Sequence, residues 1–110
     1  MEGFVKGDII VINFPFSDLT KSKPRPALII KVPKGEDIII CQVTAESQKK
    51  DVEVNVKNSD FVKGGLRRES YLRIDKITTM KRTRIKYKVG SLKPEKFKEI
   101  MDKIISFLKD

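Results

Sequence analysis

Histidine is absent from this chain of 110 residues, and cysteine occurs once, at position 41. Without histidine the chain lacks the side chain that most often serves as a general base near neutral pH and most often ligates metals. With only one thiol as well, no zinc site is expected, and no disulfide can form within the chain. Cys41 sits in an apolar run, where a small buried hydrophobe is its usual role. Any catalysis must draw on Arg, Lys, Asp, Glu, Ser, Thr or Tyr.

Long hydrophobic runs are lacking too. Ile9–Ile12, Ala27–Ile30 and Ile38–Cys41 are the longest, far short of the roughly 20 residues that span a bilayer. No membrane partner is expected. Met1 to Lys6 shows no apolar stretch ahead of a small-residue cleavage site, so no secretory leader is expected and the cytoplasm is the expected compartment. Acidic residues are in deficit: 15 Asp and Glu stand against 24 Lys and Arg, for a net charge of +9. A field of that size on a small body attracts polyanions, with nucleic acid and acidic protein segments the candidates. What remains is a globular balance, 39% hydrophobic and 35% charged, of a length suited to one domain over residues 1–110. There is no internal repeat, low-complexity segment or linker.

The chain is organised around Lys23-Pro24-Arg25-Pro26-Ala27-Leu28-Ile29-Ile30. Two prolines fix Arg25 in a stiff, extended lead-in to an apolar strand. Ahead of it, Gly7 to Phe14 reads as a first strand buried on both faces. Pro15 to Lys23 has loop composition, and its lysines and flanking phenylalanines could hold a nucleic acid strand, although Phe14 and Phe16 also suit core plugs. Pro26–Val32 and Ile38–Thr44, joined by Pro33-Lys34-Gly35-Glu36-Asp37, form a hairpin. That pairing puts Arg25 and Thr44 at one open end, with Ala45 to Gln48 beyond, where a cation and hydroxyls could make an anion site.

Val52 to Val56 alternates as a half-buried strand with Glu53 and Asn55 outward. Asn58–Arg68, with Gly64-Gly65 and the pair Arg67-Arg68, reads as loop. Ser70–Ile77 reads as a strand with Arg73 and Asp75 together on the face opposite Leu72 and Ile74, either a solvated ion pair or a cation and carboxylate facing a phosphate. Lys81 to Lys88 is the densest basic run and suggests a cationic strand ending at Gly90-Ser91. Phe97, Ile100, Met101, Ile104, Ile105 and Leu108 fall at helical spacing behind Pro94. Five or six short strands followed by one helix, with no βαβ alternation, predict a mainly β fold: a small SH3-like antiparallel β-barrel with a C-terminal α-helix.

Lys6-Gly7-Asp8-Ile9-Ile10, the Arg25–Ile30 strand, Val43-Thr44 with Ser47 nearby, Ser70 to Thr79 and the closing helix occur in the order and spacing of the MazF/PemK family. The sequence resembles that family, and its PemK-like subgroup in particular, over nearly the whole chain. The resemblance implies an SH3-like-barrel homodimer, the toxin of a type II toxin–antitoxin pair, that cuts single-stranded RNA at short sequences without metal or other cofactor. It also implies a short antitoxin partner with an acidic tail, which a +9 surface favours. Carried over by resemblance, Arg25 is the strand-entry arginine, Thr44 the active-site threonine, and Arg73 and Asp75 the residues some members use as acid and base. Ser17, Lys21, Lys23, Ser47, Lys76, Arg82 and Arg84 are the expected RNA contacts. The loop histidine of some relatives is absent, and Lys76 stands where glutamine is usual.

The residues present suit that chemistry. RNA carries its own nucleophile, the 2′-OH, so a metal-free nuclease must deprotonate it, align it and stabilise a phosphorane. Arg25 suits the last task, Thr44 a hydrogen bond to the phosphate, and Asp75 is the matched group able to accept a proton, with Arg73 keeping it ionised or assisting the leaving oxygen. Two other readings use the same charge without cleavage: a DNA gyrase poison of the same fold, and a basic RNA-binding SH3-like module. Against the first, Phe107-Leu108-Lys109-Asp110 lacks the tryptophan-bearing end associated with that activity.

Overall fold

A computed structural model of the chain describes residues 3–15 and 22–110. Ser17 and Lys21, expected as RNA contacts, and Phe16 lie outside the described residues.

The strands are β1 (Asp8–Pro15), β2 (Ser22–Lys31), β3 (Asp37–Thr44), β4 (Glu53–Val56), β5 (Phe61–Gly64), β6 (Ser70–Lys81) and β7 (Ile85–Leu92), followed by one helix, α1 (Pro94–Lys109). They form one sheet in the order β4-β6-β3-β2-β1-β7-β5, antiparallel at every pairing. The sheet bends into a barrel-like roll but does not close: among the described residues no ladder joins β4 to β5. Also among the described residues, no helix is long and apolar enough to cross a membrane.

Seven strands replace the expected five or six. β5 lies inside the segment read as loop, and β7 runs on through Gly90-Ser91 instead of stopping there. One contact explains both. Where β5 crosses β7, a Cβ on Gly64 would meet the Val89 carbonyl and one on Gly90 would meet the Lys63 carbonyl, so the backbones approach as only glycine allows. Gly64 also has φ +72°.

β2 begins at Ser22, through both prolines, not at Pro26. The Ile29 carbonyl accepts from Gly7 N–H at 2.8 Å, so Ile29 turns its polar edge towards β1. By the two-residue period of a strand, Pro24 and Pro26 turn theirs towards β3. The β2–β3 ladder starts only at Ala27↔Gln42, so the missing proline donors fall where no partner strand needs them.

Apolar residues pack on both sides of the bent sheet. Ile9, Leu28, Val43, Val54, Val56 and Leu72 enclose one core with Ile100 and Ile104 of α1. Ile10, Ile12, Phe14, Ala27, Ile29, Ile38 and Ile40 form the other, with Phe4, Val32, Met80 and Ile85 packed against it. β1 therefore buries consecutive residues, as its unbroken apolar run predicts. Pro94 starts α1 and Glu95 lies in its first turn, where negative charge is favourable. Ile105 and Leu108 at the far end stand exposed.

β6 carries the irregularity that matters most. Cys41 pairs with Ile77 and Val43 with Leu72, so Arg73 to Lys76, four residues, face Gln42 alone. Such a bulge bends its strand and re-aims side chains.

Candidate active site

Three elements meet at the open end of the β2–β3 hairpin. Beyond their last pair, Ala27↔Gln42, the strands continue to Arg25 and Thr44. The side-chain period keeps Arg25 on the face of Ala27, and Thr44 on the face of Gln42. The bulge of β6 supplies Arg73 and Lys76 from the side. Together Phe14, Arg25, Gln42, Thr44, Gln48, Arg73 and Lys76 line a cleft of about 400 Å³. Three cations, one hydroxyl and two amides thus face one cavity, a lining suited to a phosphate and an attached base.

Arg73 and Asp75 are locked together rather than solvated. Arg73 Nε donates to Asp75 Oδ1 at 2.8 Å and Nη2 to Oδ2 at 2.7 Å, a bidentate pair. The Arg73 side chain is only 7% exposed and that of Asp75 25%. The hydrogen bonds from Arg73 hold the Asp75 carboxyl below the ordinary aspartate pKa, and the guanidinium's own pKa rises in return. Asp75 is not in the cleft's lining. Under the bulge, Cys41 Sγ donates to the Arg73 carbonyl at 2.8 Å. Burial, with the charge of Asp75 adding to it, pushes this thiol up to about 12, so it stays protonated and inert.

Thr44 Oγ1 lies 3.4 Å from Glu46 N–H, a loose turn at the strand end. The chain after it is held by Glu53 at the start of β4. The Glu53 carboxylate accepts from Ser47 Oγ at 2.6 Å, Gln48 N–H at 2.7 Å and Lys49 N–H at 2.9 Å. Glu53 also sits opposite Arg73 in the β4–β6 register. The Gln48 backbone bond first, then Ser47 and Lys49, lower its pKa below the usual glutamate range. A lowered pKa means that the grip is complete above the ordinary value of about 4.3 and is released as pH falls through the folded value. An NMR titration of the Glu53 carboxyl is therefore expected to give a midpoint below about 4.3, with the Gln48 and Lys49 amide shifts moving on the same curve. A midpoint at or above that value would mean the clamp does not form.

The other expected contacts spread outward. Ser47 is tied to Glu53 at the cleft's edge, and Lys23 is exposed on β2 opposite Phe14. Arg82 and Arg84 lie on the turn between β6 and β7, where Arg84 Nη1 donates to the Asn13 carbonyl at 3.3 Å, and neither lines the cleft. The residues missed from sequence are Gln42, Gln48 and Glu53. Gln42 was within reach, two residues before Thr44 on the same strand face. Nothing local marks Glu53, whose partners come from the preceding turn. Among the described residues no group of three or more Cys, Asp or Glu could hold a metal ion.

Solved structures share this fold at low sequence identity. A MazE–MazF complex from Deinococcus radiodurans superposes with a TM-score of 0.76 at 19% identity, covering 99% of this chain and 98% of that one. An endoribonuclease from a mycobacterial species gives 0.73 at 18% identity, covering 99% and 94%. A mycobacterial endoribonuclease in complex with its cognate antitoxin gives 0.72 at 14% identity, covering 97% and 96%. Compared by sequence alone with characterised proteins, the chain has no match. The family pattern is decisive: residues 5–108 match it, and the chain belongs to the PemK-like, MazF-like toxins of type II toxin–antitoxin systems.

Proposed function

We propose that this toxin is a metal-independent endoribonuclease that cuts single-stranded RNA at selected sequences. The observation that carries the reading is the convergence of Arg25, Thr44, Arg73 and Lys76 on one cleft. The described structural relatives include proteins named as endoribonucleases. In the reaction, the O2′–P bond forms and the P–O5′ bond breaks with O5′ taking a proton from water, leaving a 2′,3′-cyclic phosphate and a 5′-hydroxyl. Arg25 stabilises the charge that builds on the phosphorane, and Thr44 and Lys76 fix the phosphate oxygens. Asp75, which is not in the cleft lining, takes the 2′-OH proton through one intervening water. Its lowered pKa keeps it ionised but makes it a weak base, so its contribution stands near the lower end of the 10²–10⁴-fold range. Gln42 and Gln48 present amides that both donate and accept, suited to reading base edges. The working unit in this reading is a homodimer, and the partner is an antitoxin whose acidic segment is drawn by the +9 charge.

The test is incubation of the purified protein with a long single-stranded RNA in EDTA, with mapping of the new ends. Discrete cuts bearing 5′-hydroxyl and cyclic-phosphate ends are expected. Intact RNA from folded, antitoxin-free protein would refute the reading.

A further inference from the structure

A second groove, of about 370 Å³, is lined by Pro26 and Ala45, the chain neighbours of Arg25 and Thr44 in the candidate active site. Its lining is apolar through Val11, Pro26 and Leu66, with Tyr87, Arg67 and Arg68 beside them. We propose that it is a second subsite for the same single-stranded RNA, stacking a base on Tyr87 and holding phosphates with Arg67 and Arg68. The proposal rests on the ribonuclease reading.

Position is the first argument. Arg25 and Thr44 line the cleft, while their neighbours Pro26 and Ala45 line the groove. Successive strand residues face opposite sides of a sheet, so the two pockets lie back to back across the ends of β2 and β3. The ladder between those strands stops at Ala27↔Gln42, and among the described residues no pairing joins β2 to β3 beyond it, which leaves the gap between their ends as the route from cleft to groove.

Lining is the second. Val11 pairs with Tyr87 on one side and Pro26 on the other, making a row across three strands. At about 4.8 Å per strand the row reaches roughly 10 Å from Tyr87 to Pro26, a distance bridged by neighbouring nucleotides. Tyr87 is 57% exposed, an uncovered ring such as single-strand binders use for stacking. Charge is the third argument. Arg67 and Arg68 are exposed, and neither makes an ion pair among the described residues. Guanidinium groups bind phosphate in a fork and stack on bases. An acidic, apolar peptide would use the same arginines, but it would not require continuity with the cleft.

The experiment uses fluorescent 2′-O-methyl RNA, which lacks the nucleophile and is not cut, in lengths of about 12 and about 4 nucleotides, within the usual site-size range. Tyr87→Ala is expected to weaken binding of the longer RNA about 10-fold or more, and Tyr87→Phe to preserve it. Arg67→Ala with Arg68→Ala is expected to reduce the salt slope by about 1.4, or about 0.7 per phosphate contact. The shorter RNA, filled by the cleft, should bind all variants alike. Unchanged binding of the longer RNA by folded variants overturns the subsite and leaves the cleavage reading intact. The expected losses in a protein that never cuts unmodified RNA sink the cleavage reading and leave the groove as an RNA site. If a Glu- and Leu-rich peptide of similar length displaces RNA from Tyr87→Ala as well as from wild type, the groove's role in RNA binding stands. If wild type binds the peptide in preference to RNA, and Tyr87→Ala loses only the peptide, the groove belongs to a protein partner and the proposal falls.

Discussion

Replacing Arg25 with alanine is expected to slow RNA cleavage by about 10²–10³-fold at saturating RNA, the scale for losing one preorganised donor to a developing oxyanion. The loss should fall on kcat more than on KM. A phosphate diester carries one negative charge in the ground state and gains more in the phosphorane, so a cation at the phosphate binds the transition state better. Arg25 is placed for that task by β2, held extended between Pro24 and Pro26 and aimed into the cleft beside Thr44. Arg25→Lys separates charge from shape: it keeps the cation but loses the planar fork, and an intermediate rate is expected. Single-turnover kinetics on one mapped site measure both variants, with thermal unfolding as the control for fold. Cleavage by Arg25→Ala within about threefold of wild type would be too small a loss for a preorganised donor and would move the phosphate site to Arg73 and Lys76.

Where a segment's structure depends on its own alternation, the sequence disclosed it. β1 and β3 follow from short apolar runs bounded by turn residues, and β4 and α1 from apolar spacing of two and 3.6 residues, all of it written in neighbours. Elements that depend on distant contacts were hidden. Phe61–Gly64 has too few apolar residues to announce a strand, and it becomes one only because Gly90, elsewhere in the chain, lets β7 come close. Pro24 and Pro26 look like strand breakers, and only the length of the β3 ladder shows why they are not. The site divides in the same way. Arg25 and Thr44 meet because a hairpin brings its ends together, which sequence can express. The bulge that aims Arg73 and Lys76 into the cleft is a mismatch between β3 and β6, visible only once the register is known. The Glu53 clamp likewise depends on how the turn after Thr44 folds back.

Asp75→Asn is expected to lower stability by about 2–3 kcal/mol near pH 7, somewhat under the range for breaking a fully buried ion pair. In a domain of this size that is a fall of roughly 10–20 °C in the unfolding midpoint. The cost comes mostly from Arg73: its side chain is 7% exposed, and without the carboxylate its charge keeps only the weaker influence of Glu53 and Asp51 and loses its hydrogen-bonded partner. The double variant Arg73→Met with Asp75→Leu removes both charges and should be less destabilised than the sum of the single variants, the signature of a coupled pair. The pH dependence has a definite sign. Because the folded pKa of Asp75 is depressed, its stabilisation is present above the unfolded value of about 3.9 and disappears as pH falls through the folded value. The gap between wild type and Asp75→Asn should therefore be constant from about pH 5 to 8 and narrow below about pH 4. A gap that opened on acidification, or additive single variants, would mean that Arg73 finds its counter-charge elsewhere, with Glu53 across the β4–β6 ladder the nearest alternative. Cleavage separates the roles further. If Asp75 acts mainly by fixing Arg73, Asp75→Asn and Arg73→Met should lose activity to a similar degree. If it also takes the proton, Asp75→Asn should lose more, and the deficit should shrink as rising pH supplies hydroxide to do the same work.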